Sequence, residues 1–250
     1  DAVHTDTRYT FITNHRDIVL DASFLNLGFL RAGKRTSEVA IGDNLLIYDW
    51  ITDLVKLNGS FIVKRNVGIT GALDAARQLS RYIHYAISSK KESIWIAQRE
   101  GRAKDSDDKT QESVVKMLSL GGSGRMVENL ASINILPVAI SYEFDPNDYL
   151  KAREFLLKHR DSNFKKSKHD DLFSMETGLL QFKGRVHFGL GHCITPEIEK
   201  IPVDTPKGEV ARGVCALVDN AIHSHYLIYP INYVAYDKLF DTDRYSDSYT

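Results

Sequence analysis

An α/β fold, with helices flanking a mixed and largely parallel sheet, is predicted by three features of the sequence. Strand-like apolar runs alternate with helix-period segments from Tyr9 to His223. Two of those runs, Ile94-Trp95-Ile96-Ala97 and Ile135 to Tyr142, have the near-continuous apolar character of strands covered on both faces. No internal repeat or low-complexity linker divides the 250 residues, and 43% hydrophobic content is enough for one sizeable core. In such a fold, ligands approach the loops at the strand ends.

The elements follow in order. Tyr9-Thr10-Phe11-Ile12-Thr13 is β-prone and predicts the first strand. Ile18 to Leu30 predicts a helix buried on most faces, with Val19, Leu20, Phe24, Leu25, Leu27 and Leu30 apolar and Gly33 closing it. Short apolar runs at 39–41 and 45–47 precede a helix through Trp50, Leu54 and Val55, and Ser60-Phe61-Ile62-Val63 predicts the next strand. Gly59 before it suits a close turn. From Gly71 to Ala86, Leu73, Ala76, Leu79, Tyr82, Ile83 and Ala86 fall at three- and four-residue steps, and Lys90-Lys91 ends that helix.

After the Ile94 strand, residues 98–109 form a polar, glycine-containing loop, and helices are expected over 111–120 and 125–133. Pro137 favours the start of the strand over 135–142, either as an edge-strand proline or by shaping the strand end. Helices over 147–158 and 170–182, a strand over 185–188 and a long helix over 208–223 complete the pattern. A single domain over 1–250 is expected, with about 195–250 as a helical C-terminal appendage. Asp1 comes only a few residues before a core strand, so an N-terminal segment is expected to be missing.

Composition narrows the function classes. With 32 basic and 33 acidic residues, net charge −1, no global field favours nucleic acid, and any anion site must be local. Cys193 and Cys215 are too few for a disulfide framework and lack zinc-site spacing. No apolar stretch reaches the roughly 18 residues of a membrane span, so a cytoplasmic protein, or one peripheral on the cytosolic face of a membrane, is expected. The glycines at 121, 122 and 124 lack the Lys-Ser/Thr of a phosphate loop. His187 and His192 lack an acidic partner at metal spacing, His223 and His225 lie near a helix end, and Lys165-Lys166-Ser167-Lys168 reads as a solvated loop. No metal site is expected.

The chemistry concentrates at Asn14-His15-Arg16-Asp17-Ile18-Val19-Leu20-Asp21, where a strand hands over to a helix. A histidine titrates near neutrality, and an adjacent carboxylate fixes its tautomer and steadies the imidazolium; such a base contributes roughly 10²–10⁴-fold. Alternatively, His15 caps the helix and Asp17 favours its N-terminal dipole. A six-residue offset on a regular helix separates side chains by roughly 120°, so pairing His15 with Asp21 requires His15 outside the helix or a bulge. Asp17 is the competing partner.

Four ordered blocks resemble the glycerolipid acyltransferase superfamily, which includes lysophosphatidate and glycerol-3-phosphate acyltransferases, from Phe11 to about Ile194. Asn14-His15-Arg16 with a following aspartate is similar to the family's catalytic block, and Gly59-Ser60-Phe61-Ile62-Val63-Lys64-Arg65 to its acceptor-binding block. Glu100-Gly101-Arg102 is similar to the third block and Leu136 to Tyr142 to the fourth. The family has four residues between histidine and aspartate where His15 and Asp21 have five, and Gln98-Arg99 departs from the usual lead of the third block.

The resemblance implies that fold type and acyl transfer from coenzyme A or acyl carrier protein to a hydroxyl of a glycerol-phosphate-type acceptor or lysophospholipid. No bound cofactor is implied, and the lipid product implies a membrane surface as partner. His15 would be general base with Asp21 or Asp17 behind it. Arg65 and Arg102, with Lys64 or Lys104 in support, would grip the acceptor phosphate beside Gly101; Glu100 would bind acceptor hydroxyls or hold an arginine in place, and Pro137 would lie on the acyl-donor side. Two rivals are a noncatalytic lipid-binding module of the same fold and a metal-dependent phosphoesterase.

Overall fold

The computed structural model describes residues 3–64, 68–104 and 107–249. Six strands form one sheet in the order β3-β2-β4-β1-β5-β6. They are β1 (Thr10–Thr13), β2 (Ser37–Gly42), β3 (Ser60–Val63), β4 (Ser93–Ala97), β5 (Ile135–Tyr142) and β6 (Val186–Leu190). β1 to β5 run parallel, whereas β6 pairs antiparallel with β5. The sheet is thus mixed and largely parallel, flanked by helices on both faces.

Side-chain alternation along the central strands builds two core clusters, because successive residues of a strand point to opposite faces. Ile12, Ile94, Ile96, Ile135 and Ala139 belong to one cluster, while Phe11, Trp95, Leu136 and Val138 belong to the other. The second is closed by Ala22, Leu25 and Phe29 of α1 (Leu20–Arg31). The first is closed by α3 (Ile69–Tyr85), α4 (Glu112–Leu118), α5 (Met126–Ala131) and α9 (Lys207–Ser224).

Between β2 and β3 lie a 3-10 turn, Asp43–Leu45, and α2 (Asp49–Leu57); Gly59, at φ 71°, turns α2 into β3. After β5 come α6 (Asp148–Arg160) and α7 (Lys168–Leu180), and α8 (Thr195–Ile198) follows β6. Ser167 caps α7, its side chain accepting from the Asp170 amide while Asp170 returns to the Ser167 amide. Lys166 of the supposed solvated run is tied down instead, bridging Glu154 at 3.2 Å and Asp171 at 2.9 Å.

Two expectations are corrected. Helices do follow residue 195, but α9 is no appendage: Val210, Ala211, Val214, Val218 and Ile222 are buried in the same cluster as Ile12 and Ile135. A further helix that the apolar pattern did not predict, α10 (Pro230–Phe240), is fixed by buried Asp237, which accepts from the Tyr245 amide and the Tyr249 hydroxyl. Pro137, in turn, is neither on an edge strand nor at a strand end. It is buried within β5 opposite Ile12, and its carbonyl accepts from the Gly191 amide just beyond the last residue of β6. Its missing N–H faces Gly191, so the absent bond is the outermost one between β5 and the chain leaving β6.

Candidate active site

β1 and β4 are adjacent and parallel, with Thr13 opposite Ala97, so the turns leaving them emerge side by side at the carboxyl edge of the sheet. Two backbone bonds tie these turns together: Gln98 N–H donates to Thr13 O at 2.8 Å and Ala103 N–H to His15 O at 3.1 Å. Asn14 anchors the other side. Its Oδ1 accepts from Ile140 N at 2.7 Å, and its Nδ2 donates to Ile140 O at 3.0 Å and to Asp108 Oδ2 at 3.3 Å. Buried Asp108 also receives Arg16 and the Tyr226 hydroxyl, joining the His15 turn to the end of α9.

His15 lies outside the helix. Asp17 Oδ1 accepts from Val19 N at 2.9 Å and Leu20 N at 2.8 Å, so α1 begins only at Leu20 and the intervening chain folds back. This turn brings Asp21, in the first helical turn, onto the imidazole: His15 Nδ1 and Asp21 Oδ2 are 2.8 Å apart. Arg16 N and Asp17 N donate to the same oxygen at 2.7 and 3.1 Å, and the Tyr142 hydroxyl donates to Asp21 Oδ1 at 3.1 Å. Asp21 is fully buried, and the His15 side chain is 14% exposed. With Nδ1 donating to a carboxylate, Nε2 is the nitrogen left to accept a proton.

Asp17 is therefore not the partner of His15. Its Oδ1 instead takes the two amides that lead into α1, a capping role the sequence alternative had given to His15. Burial pushes its carboxyl above the ordinary aspartate value, outweighing the Leu20 and Val19 amides that favour the charged form. Gly178 of α7 packs against it, and a Cβ there would lie 2.1 Å from Asp17 Oδ2. Gly178→Ala is expected to cost about 1–3 kcal/mol through overpacking at this point, read as a lower denaturation midpoint; an unchanged midpoint would contradict the packing.

His15 lines a cavity of about 1330 Å³, beyond the roughly 300–1,000 Å³ usual for small-molecule pockets. Its walls include Val39, Ile41, Leu46, Leu54, Met175 and Leu179, drawn from β2, α2, α7 and the segment between β2 and α2. Trp95, edge-on to His15 at 5.7 Å, closes one side. Lys64, Arg99 and Glu100 share the cavity with His15, whereas its Glu38 and Glu92 are paired with Lys90 and Arg35. Arg99 has no ion-pair partner among the described residues, and its Nε is buried without an acceptor.

The remaining predicted residues separate. Arg65 lies outside the described residues. Lys64 and Glu100 reach the cavity, while Gly101, at φ 72°, supplies the left-handed turn between Glu100 and Arg102. Arg102 does not line this cavity; it is buried and faces a second one of about 240 Å³ between α6 and α7. Lys104 is also drawn away, pairing with Glu154 at 3.1 Å, and burial lowers its ammonium below the ordinary lysine value. Pro137 is not among the lining residues. Arg99 carries no motif of its own in the sequence; its one signal is that it is the second residue after β4, at the strand end where ligands approach.

Among the described residues, no three His, Cys, Asp or Glu side chains gather to hold a metal ion; His192 pairs with Glu197 at 3.2 Å. Neither a family model nor a curated protein sequence matches the chain.

Proposed function

We propose that the chain is an O-acyltransferase of the glycerolipid type, moving a fatty acyl group from coenzyme A or acyl carrier protein to a hydroxyl of a glycerol-phosphate-type acceptor. The carrying observation is the imidazole, braced by a buried carboxylate, on the wall of a large apolar cavity that also holds Arg99, a guanidinium with no ion-pair partner among the described residues. A long acyl chain matches the apolar walls. His15 Nε2 takes the acceptor's hydroxyl proton as that oxygen attacks the thioester carbonyl; the C–O bond forms, the C–S bond breaks, and the proton passes to the departing thiolate. Asp21 holds the imidazole and offsets its charge while it carries the proton.

Arg99 takes the place of Arg102 and Lys104 beside Lys64 in the proposed grip on the acceptor phosphate, since a guanidinium fork matches phosphate oxygens. Losing one such charged contact costs about 1.5–3 kcal/mol. Arg99→Ala is therefore expected to raise KM for a phosphorylated acceptor about tenfold or more, while KM for the corresponding uncharged glyceride stays put. Equal effects on both acceptors would remove Arg99 from the grip.

No helix among the described residues is long and apolar enough to cross a membrane. The cavity lining nevertheless includes side chains that also face outward, Trp50 at 63% and Leu57 at 86% exposure on α2 and Leu180 at 74% on α7. Peripheral contact with a bilayer at this rim on the cytosolic side would let product leave into lipid.

The deciding experiment is mass spectrometry after incubation with acyl-CoA or acyl-ACP and a panel of glycerol phosphate and lysophospholipid acceptors. A new ester with release of one equivalent of thiol is expected. Acceptor binding with no ester from any pair would leave a lipid-binding module.

A further inference from the structure

Asp21 offers two oxygens with unequal surroundings. Among the described residues, Oδ2 receives three donors, from His15, Arg16 N and Asp17 N, whereas Oδ1 receives only the Tyr142 hydroxyl. Tyr142 ends β5, two strand positions beyond Ile140, which Asn14 clamps with a pair of hydrogen bonds. The ring is thus placed by the sheet and not by the turn that carries His15. It does not line the cavity of His15.

We propose that Tyr142 is a positioning residue, its phenol locking the Asp21 carboxylate plane so that Oδ2 stays on His15 Nδ1 and the base keeps a single tautomer. This rests on the reading of His15 as general base. The Arg16 and Asp17 amides pin Oδ2 alone, so a carboxylate with no donor on Oδ1 still tilts about its Cβ–Cγ bond and weakens the bond that holds the proton on Nδ1. One donor on Oδ1, held by a different element, removes that freedom.

The groups facing the phenol support a donor that keeps its proton. Burial, then the charges of Asp21 and Asp17, then that of Asp145, all raise the phenol's pKa well above the ordinary tyrosine value. Tyr142 accordingly donates throughout the range in which an imidazole titrates. Phenylalanine preserves the ring and its packing while deleting this one donor.

The test is histidine-selective ¹⁵N NMR of the full chain, with the His15 signal assigned by its loss in His15→Gln, beside the pH profile of turnover. Wild type is expected to show one neutral tautomer with the proton on Nδ1. Tyr142→Phe should show averaging between tautomers, a kcat about tenfold lower with KM unchanged, and a pH profile whose acid limb moves by about half a pH unit or more. A Phe variant with the wild-type tautomer signal overturns the proposal. The NMR result needs no substrate, so an inactive wild-type chain would sink the acyltransferase reading while the tautomer lock is still decided.

Discussion

His15→Ala is expected to lower acyl transfer by about 10²–10⁴-fold, the usual contribution of a positioned general base, while leaving the fold intact. The turn does not depend on the imidazole. Its backbone is held by the Ala103 amide on His15 O, by the clamp of Asn14 on Ile140 and by the Asp17 cap. Asp21 retains the Arg16 and Asp17 amides and the Tyr142 hydroxyl, so no buried carboxylate is stranded. The expected loss of stability is about 1 kcal/mol, one hydrogen bond. Steady-state kinetics with a melting curve checks both halves; normal turnover in a folded variant would dismiss His15 as the base.

Asp21→Asn should come next, with about a 10²-fold or greater fall in kcat. The amide removes the negative charge that offsets the imidazolium, and its NH₂ group cannot accept from His15, the two backbone amides or the tyrosine. Asp17→Asn is the informative partner, because asparagine also caps helices and turnover should survive. Its effect belongs to stability. The Asp17 carboxyl is raised in the folded state, so its ionisation opposes folding: wild type is favoured below the unfolded aspartate pKa and loses that contribution as pH climbs through the folded value. The gain from Asp17→Asn should therefore be greatest near neutrality and vanish in acid, which melting curves across pH will show. If Asp17→Asn abolished turnover and Asp21→Asn did not, the assignment would be reversed.

Most of the sheet was legible in the sequence because its strands are short apolar runs, and buried parallel strands must be apolar on both faces. The site was legible in part. His15 with Asp21 could be named, but choosing between the aspartates needed the cap at Asp17, a hydrogen bond that spacing does not encode. Arg102 and Arg99 differ by three residues in one loop, and the left-handed turn at Gly101 separates their directions. A polar loop gives no periodicity from which to read that. α10 escaped because it covers little core; its buried anchor is Asp237, a residue type that ordinarily marks the surface.

The place of β1 has a consequence for how the chain comes to be folded. This first strand is flanked by β4 and β5, with Thr10 opposite both Ile94 and Ile135. On the ribosome this strand can gain β4 as its first neighbour but stays open on its other side until β5 has been made. Closing such distant pairs makes assembly slow, and an apolar segment waits meanwhile with one side open. Refolding from denaturant should accordingly be chaperone-responsive at concentrations where the native protein stays monodisperse.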